Sequence, residues 1–272
     1  MVKIEDFEDI ICKKEDNGIC TAIISRPERR NAMTLLTFHE MYYLLDDMEN
    51  DKNTKVLIIT GDPKGNAFTS GAYFRKEVFH QMRKYPEIDL MDVAQKKLAL
   101  KFWNFPKPVI AAINGMAIGG GVTLPLIGAD LIYMAEDAWM GLYFVRRGII
   151  QEFASSFLLP FLMGFQRAKE LCYFGDNITA QQALELGLVN KVLPKEELMP
   201  YAREQALRLI PPKGPSFSIK LMKKTIHSYF YDILSKTLDK ENRALRKTLT
   251  THDFRESMEA LKEKRDSVFI GR

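Results

Sequence analysis

Cysteine is scarce in this 272-residue chain: Cys12, Cys20 and Cys172 are all it has. Their odd number and their spacing, neither paired nor of a metal-binding kind, argue against a disulfide framework and point to a reducing compartment. Histidine is scattered (His39, His80, His227 and His252) with no H-x-x-x-H or H-E pattern, so no metal is expected. No apolar run is both long enough and free enough of charge to span a bilayer. The first eighteen residues carry early acids and no apolar stretch of signal-peptide length, and the final residues carry no lipidation signal. These absences give the expectation of a soluble, cytoplasmic protein with no membrane partner. Charge of one sign is missing too. The 39 basic and 35 acidic side chains leave +4, which is no nucleic-acid footprint.

What is present is a large apolar fraction, 46 %, enough for a sizeable core. Two short runs, "DIICKKE" and "ICTAIISRP", flank Asn17-Gly18, the strongest short signal for a hairpin turn. A helix is expected over 34–48, capped by Thr34, with Leu35, Phe38, Met41, Leu44 and Leu45 near helical spacing. Apolar strands are expected at 55–61, 107–115 and 130–137, followed by helical segments at 152–163, 166–174 and 179–186 and a short strand in "LVNKVLP". Strands alternating with helices predict an α/β fold with a mostly parallel sheet. No internal repeat or long linker is evident. Beyond Pro194 the strands stop and charged amphipathic helices begin, which divides the chain into a core, 1–194, and a helical region, 195–272. That region either covers the core or packs on another subunit.

The stretch at 115–126, "GMAIGGGVTLPL", sets three glycines between a strand and an apolar helix. Glycine inside a helix costs about 1 kcal/mol relative to alanine. At a helix N-terminus, however, the first N–H groups lack intrahelical partners and bare backbone lets a ligand oxygen approach them. An anion or oxyanion site and tight helix-on-sheet packing explain the glycines equally well. The spacing is not that of a dinucleotide-binding G-x-G-x-x-G. A second stretch at 65–74, "GNAFTSGAYF", places Ser70, Gly71 and Ala72 after another strand. Two small-residue turns at strand ends can offer two N–H donors to one oxygen, which is an oxyanion hole.

With these two turns the chain resembles the crotonase superfamily of enoyl-CoA hydratases and isomerases. "ISRPERRNAM" (24–33) is similar to the family's first CoA-contacting loop and "NAFTSGAYF" to its first oxyanion segment. "PKPVIAAINGMAIGGGVTL" (106–124) is similar to its most recognisable motif, and "GDNITAQQALELGLVNKVLP" (175–194) to its later helix–strand unit. The resemblance implies a crotonase-type α/β spiral of ββα turns, two sheets nearly perpendicular to one another, and a helical C-terminal region. It also implies a homotrimer or a hexamer of two trimers, a CoA thioester substrate and no separate cofactor. Carried over by position, the oxyanion donors are the backbone N–H groups of Ala72 and Gly120. Arg30, Ala32, Ser70, Gly71, Phe74, Gly119 and Thr123 are the expected substrate-binding positions.

The chain departs from the family pattern at its acids. Tyr73 stands where an aspartate follows the Gly-Ala pair, and Thr123 where hydratases carry one glutamate. Tyr143 or Phe144 falls where hydratases carry the second. The remaining candidate is Glu152, in a segment resembling the single-glutamate Δ3,Δ2-enoyl-CoA isomerases. A lone carboxyl among apolar groups should have a raised pKa, suited to moving a proton near neutrality. The alternative is an acid in the first turn of the next helix, where it favours the macrodipole. One carboxylate suffices to carry a proton from C2 to C4 of a 3-enoyl-CoA, so isomerisation is the first expectation. Hydration with a single acid, a CoA-binding protein without activity, and cleavage of a β-keto-acyl-CoA are the rivals. Arg146, Arg147, Lys223 and Lys224 are read as structural or solvated.

Overall fold

The computed structural model describes residues 3–73 and 85–272. Strands β1 (Ile10–Lys14) and β2 (Ile19–Ile24) form the expected hairpin, with Cys12 opposite Ala22. Gly18 turns it at φ +93°, where a side chain would be strained. The helix Leu35–Asn50 then crosses over to β3 (Val56–Gly61), which lies parallel to β2. Thr34 caps that helix: its hydroxyl accepts the N–H of Leu36, and Thr37 Oγ1 accepts the N–H of Thr34 in return.

From β3 the chain repeats one pass three times. A strand enters a large sheet, then a three-residue strand enters a small one. The pairs are β3 and β4 (Ala67–Thr69), β5 (Val109–Ile113) and β6 (Met116–Ile118), and β7 (Leu131–Ala135) and β8 (Trp139–Gly141). β9 (Asn177–Thr179) joins the small sheet and β10 (Lys191–Leu193) the large one. The orders are β1-β2-β3-β5-β7-β10 and β4-β6-β8-β9. Every pairing is parallel except β1 with β2 and β8 with β9. β3 and β5 are buried at every position, as expected of parallel strands covered on both faces. This is the α/β spiral of ββα turns, with a helical C-terminal region of four helices: Lys195–Leu209, Ser216–Ser228, Tyr231–Thr248 and His252–Glu263.

Two expectations are corrected. The helix expected from residue 152 begins at Ser155, because Phe153 and Ala154 adopt left-handed backbone at φ +57° and +58°. Lys223 is not solvated: it is buried, and its ammonium donates to Asp130 at 2.8 Å and to the carbonyl of Lys107 at 3.1 Å. Among the described residues no helix is long and apolar enough to cross a membrane.

Candidate active site

The small sheet positions the site. Its three parallel strands end together, and the chain leaves them through Ser70–Ala72, through Gly119–Gly121, and through 142–144. Gly71, at φ +89°, turns the chain after β4. A β-carbon there would stand 2.7 Å from the carbonyl oxygen of Ile118, so only glycine lets the first turn lie against the second. The first turn is also tied to the 26–33 loop. Met33 N–H donates to Gly71 O at 2.9 Å, Tyr73 N–H to Met33 O at 2.8 Å, and Ser70 N–H to Arg30 O at 3.0 Å.

Each glycine of the run has its own reason. Gly119, at φ +54° and ψ −114°, holds a conformation that side-chain-bearing residues avoid. Gly121 faces Thr69, whose methyl would be 2.6 Å from an added β-carbon. Gly120 faces Met33 Cε at 2.9 Å and Glu152 Oε1 at 3.0 Å by the same measure. Gly120 opens the helix Gly120–Gly128, and its N–H, like that of Ala72, donates to no group among the described residues. Among the described residues Gly120 N–H is therefore an unpartnered donor beside the Glu152 carboxyl, at the start of a helix, where the macrodipole favours negative charge.

Glu152 is 8 % exposed, and its carboxyl makes no hydrogen bond among the described residues. Burial pushes that carboxyl up to about 8, and the nearby charges of Glu241 and Asp92 push the same way. Only its backbone is tethered: Glu152 O accepts the N–H of Ser155 at 3.1 Å and its hydroxyl at 2.6 Å. The left-handed Phe153 that follows is fully buried, edge-on to Phe38 with ring centroids 5.7 Å apart.

Of the other expected positions, Gly71, Gly119 and Ala72 belong to these turns. Ala32 is buried, and its carbonyl accepts Arg26 Nη1 at 2.9 Å. Ser70 donates its hydroxyl to Arg29 O at 3.1 Å. Thr123 is fully buried within its helix. Phe144 packs over Gly119. Arg30 lines a polar cavity of about 560 Å³ with Asn66, Met116, Asp137, Trp139 and Lys195. Asn66, Met116 and Trp139 stand at the starts of β4, β6 and β8, the end of the small sheet away from Gly120, whereas the Arg30 carbonyl meets Ser70 N–H just past the end of β4. Phe74 lies outside the described residues.

Sequence reasoning missed two supports. Asn31, also left-handed at φ +56°, is fully buried and donates to Asp62 O at 2.9 Å and Ala67 O at 2.8 Å while accepting Arg26 N–H at 3.2 Å. It pins the 26–33 loop to β4. The pair Glu241–Asn242, on the helix Tyr231–Thr248, reaches the turn after Glu152 and the segment at Ala94. Glu241 accepts the N–H groups of Ala154 and Ser156 at 2.8 and 2.9 Å, and Asn242 accepts that of Ala94 at 2.8 Å. Asn31 sits in a stretch read as a loop, and Glu241 in a charged helix like any other, so neither carried a signal.

Comparison with known proteins shows the family. The family model for enoyl-CoA hydratase/isomerase matches residues 14–272. The chain is 32 % identical to a crotonyl-CoA hydratase of Syntrophomonas wolfei, over 98 % of this chain and 99 % of that one. It is 29 % identical to a 1,2-epoxyphenylacetyl-CoA isomerase of Escherichia coli, over 97 % and 99 %. A crystal structure of an enoyl-CoA hydratase/isomerase from Pseudoalteromonas atlantica superposes with a TM-score of 0.82 at 25 % identity, covering 97 % of this chain and all of that one. With a match to the family model running almost from end to end and this α/β spiral shared with a solved relative, the chain belongs to the enoyl-CoA hydratase/isomerase family of the crotonase superfamily.

Proposed function

We propose that the protein is an enoyl-CoA isomerase that shifts a double bond from C3 to C2, with Glu152 as the proton carrier. The thioester oxygen lies between the N–H groups of Ala72 and Gly120, which stabilises an enolate by a few kcal/mol per donor. Ionised Glu152 takes a proton from C2, and the electron pair spreads through C2–C4 onto the oxygen as a dienolate. The same carboxyl then returns the proton at C4. Proton and charge balance without a cofactor. The observation that carries this reading is the Glu152 carboxyl beside Gly120, which has no hydrogen-bond partner among the described residues. The positions where two-acid hydratases carry glutamates hold Thr123 and Tyr143 or Phe144.

Hydration by one acid is the second reading, favoured by the crotonyl-CoA hydratase among the relatives. Purified protein assayed on trans-3-hexenoyl-CoA and crotonyl-CoA separates the two. Isomerisation abolished in Glu152→Gln supports the first. Hydration of crotonyl-CoA without isomerisation supports the second. Binding with neither activity supports a CoA-binding role.

The protein works as a homotrimer or a hexamer of two trimers in the cytoplasm. Exposed Phe161, Phe165, Phe217, Met222, Ile226 and Tyr229 give it apolar surface of the kind that subunit contacts cover. Sedimentation gives the assembly directly. The 26–33 loop, with Arg30 and Ala32, receives the CoA portion, and the segment at 70–74, with Ser70 and Phe74, the thioester end.

A further inference from the structure

We propose that Glu241 is a positioning residue for Glu152: it holds the turn that keeps the carboxyl at Gly120, and its negative charge sets when that carboxyl gives up its proton. The inference rests on the reading of Glu152 as the proton carrier.

The turn after Glu152 is unfavourable on its own. Phe153 and Ala154 both have β-carbons and both sit at positive φ. Ala154 occupies the cap position of the helix Ser155–Met163 and has no side-chain oxygen with which to cap it. Glu241 supplies the missing acceptor from 87 residues away, one oxygen to Ala154 N–H and the other to Ser156 N–H. Glu241 is 1 % exposed, so this bracket is shut off from water. Asn242 extends it. Its oxygen accepts Ala94 N–H, its amide donates to Asp92 Oδ1 at 2.9 Å, and Phe153 N–H reaches Ala94 O at 3.4 Å. Two consecutive residues of one helix thus hold both the turn after Glu152 and the segment at Ala94 that this turn bonds to.

Among the described residues the two charges acting on Glu152 are both negative. Glu241 faces it from the C-terminal helix, and Asp92 from the segment before the helix Lys96–Asn104. The Gly120 helix and the Met33 loop bring Gly120 and Met33, neither of which titrates. Burial raises both carboxyls, Glu241 to about 7 and Glu152 to about 8; the two N–H bonds that Glu241 accepts favour its ionised form, and Glu152 accepts none among the described residues. Glu241 therefore ionises first as pH rises, and its charge then opposes the ionisation of Glu152. Asp92 is itself tied to Asn242 and to the N–H groups of Lys96 and Lys97. Glu241 is thus the charge whose removal should most lower the pH at which Glu152 becomes a base.

The test combines rates with a direct titration. The pH dependence of kcat/KM on trans-3-hexenoyl-CoA is measured for the unmodified protein, Glu241→Gln and Glu241→Asp. In protein carrying 13C at the glutamate carboxyl, NMR follows each buried carboxyl, with Glu152→Gln and Glu241→Gln assigning the two signals. In Glu241→Gln the rising limb and the Glu152 signal should both move down by about one pH unit. In the same variant kcat should fall about tenfold while KM stays put. Glu241→Asp, which keeps the charge, should hold the midpoint and lose rate. If Glu241→Gln fails to fold, Glu241→Asp decides: the shorter acid must keep the Glu152 midpoint and lower kcat about tenfold. Full kcat in Glu241→Asp, or an unmoved Glu152 signal in Glu241→Gln, overturns the proposal. Full isomerase activity in Glu152→Gln overturns the proton-carrier reading, and the proposal with it. A loss of activity in Glu152→Gln beside an unmoved Glu152 signal in Glu241→Gln overturns the proposal alone.

Discussion

Glu152 Oε1 lies 3.0 Å from the point where a β-carbon on Gly120 would stand. The absent side chain and the carboxyl are therefore two halves of one feature. Bare backbone at the start of the helix exposes an N–H donor and leaves room beside it for the acid. A tightly packed helix alone accounts for Gly121, which meets Thr69, but not for Gly120, whose nearest neighbours are the acid and a flexible methionine end.

Gly120→Ala tests that relationship. Met33 Cε can swing away, so the added methyl acts mainly on Glu152. The N–H is kept and alanine suits a helix, so stability should change by less than about 1 kcal/mol. Isomerisation should fall by about 10²-fold, since a misplacement of the order of 1 Å costs that much. Gly121→Ala should behave in the opposite way, losing about 1–3 kcal/mol to crowding against Thr69. Steady-state rates and urea melts of the two variants, run together, check the contrast. Unchanged rates in Gly120→Ala would mean that the acid does not act from this position.

The raised carboxyl also makes a stability prediction. Glu152 moves from an ordinary 4.5 to about 8 on folding. Between those values the folded state holds the proton and the unfolded state does not, so stability falls as pH rises through that window. Glu152→Gln removes the titration without removing a hydrogen bond. It should match the unmodified protein at pH 4 and exceed it by roughly 1–3 kcal/mol at pH 8 to 9. Thermal melts across that range would show the gap opening. A constant gap would mean that the carboxyl ionises freely in the folded protein.

Much of the fold was legible because its large-sheet strands are long and apolar. The hairpin at Asn17-Gly18, the helix capped by Thr34, and β3, β5 and β7 all follow from local pattern. The small sheet was not legible. β4, β6 and β8 are three residues each, too short to show alternation, so the threefold repeat of the spiral is absent from the sequence pattern. The glycine run pointed to a helix start offering free donors, and that is where Gly120 lies. The segment before Ser155 read as helical because nothing local in "EFAS" announces left-handed backbone. That conformation is held from Glu241, and no local rule reaches 87 residues away.

Asn31 supplies a prediction about the loop rather than the acid. Its amide donates to two carbonyls from a fully buried site. Asn31→Asp keeps the shape but turns both donors into an acceptor when ionised, setting a buried charge against two carbonyl oxygens. It should cost about 2–4 kcal/mol at pH 7, more than Asn31→Ala. It should also recover in part at low pH, where the acid becomes a donor again. Chemical denaturation at pH 7 and pH 4 distinguishes this from a loop whose amide is dispensable.

Lys223 separates a structural role of the C-terminal helices from a catalytic one. Its ammonium meets Asp130 at 2.8 Å, and the same Asp130 oxygen accepts Val109 N–H at 2.7 Å. Val109 begins β5 and Asp130 directly precedes β7, so the helix Ser216–Ser228 is bolted to the start of two central strands, far from Gly120 along the chain's passes through the sheets. Removing one partner of a largely buried pair costs more than the pair itself contributes. Lys223→Met should therefore lose about 2–3 kcal/mol, with isomerase activity per folded molecule unchanged. Asp130→Asn in the same background should restore part of that loss, because the amide oxygen can still accept from Val109 without leaving a charge unpaired. A double-mutant cycle on unfolding free energy measures the coupling. A solvated lysine would give a cycle near zero, and a lysine serving the substrate would lower activity before stability.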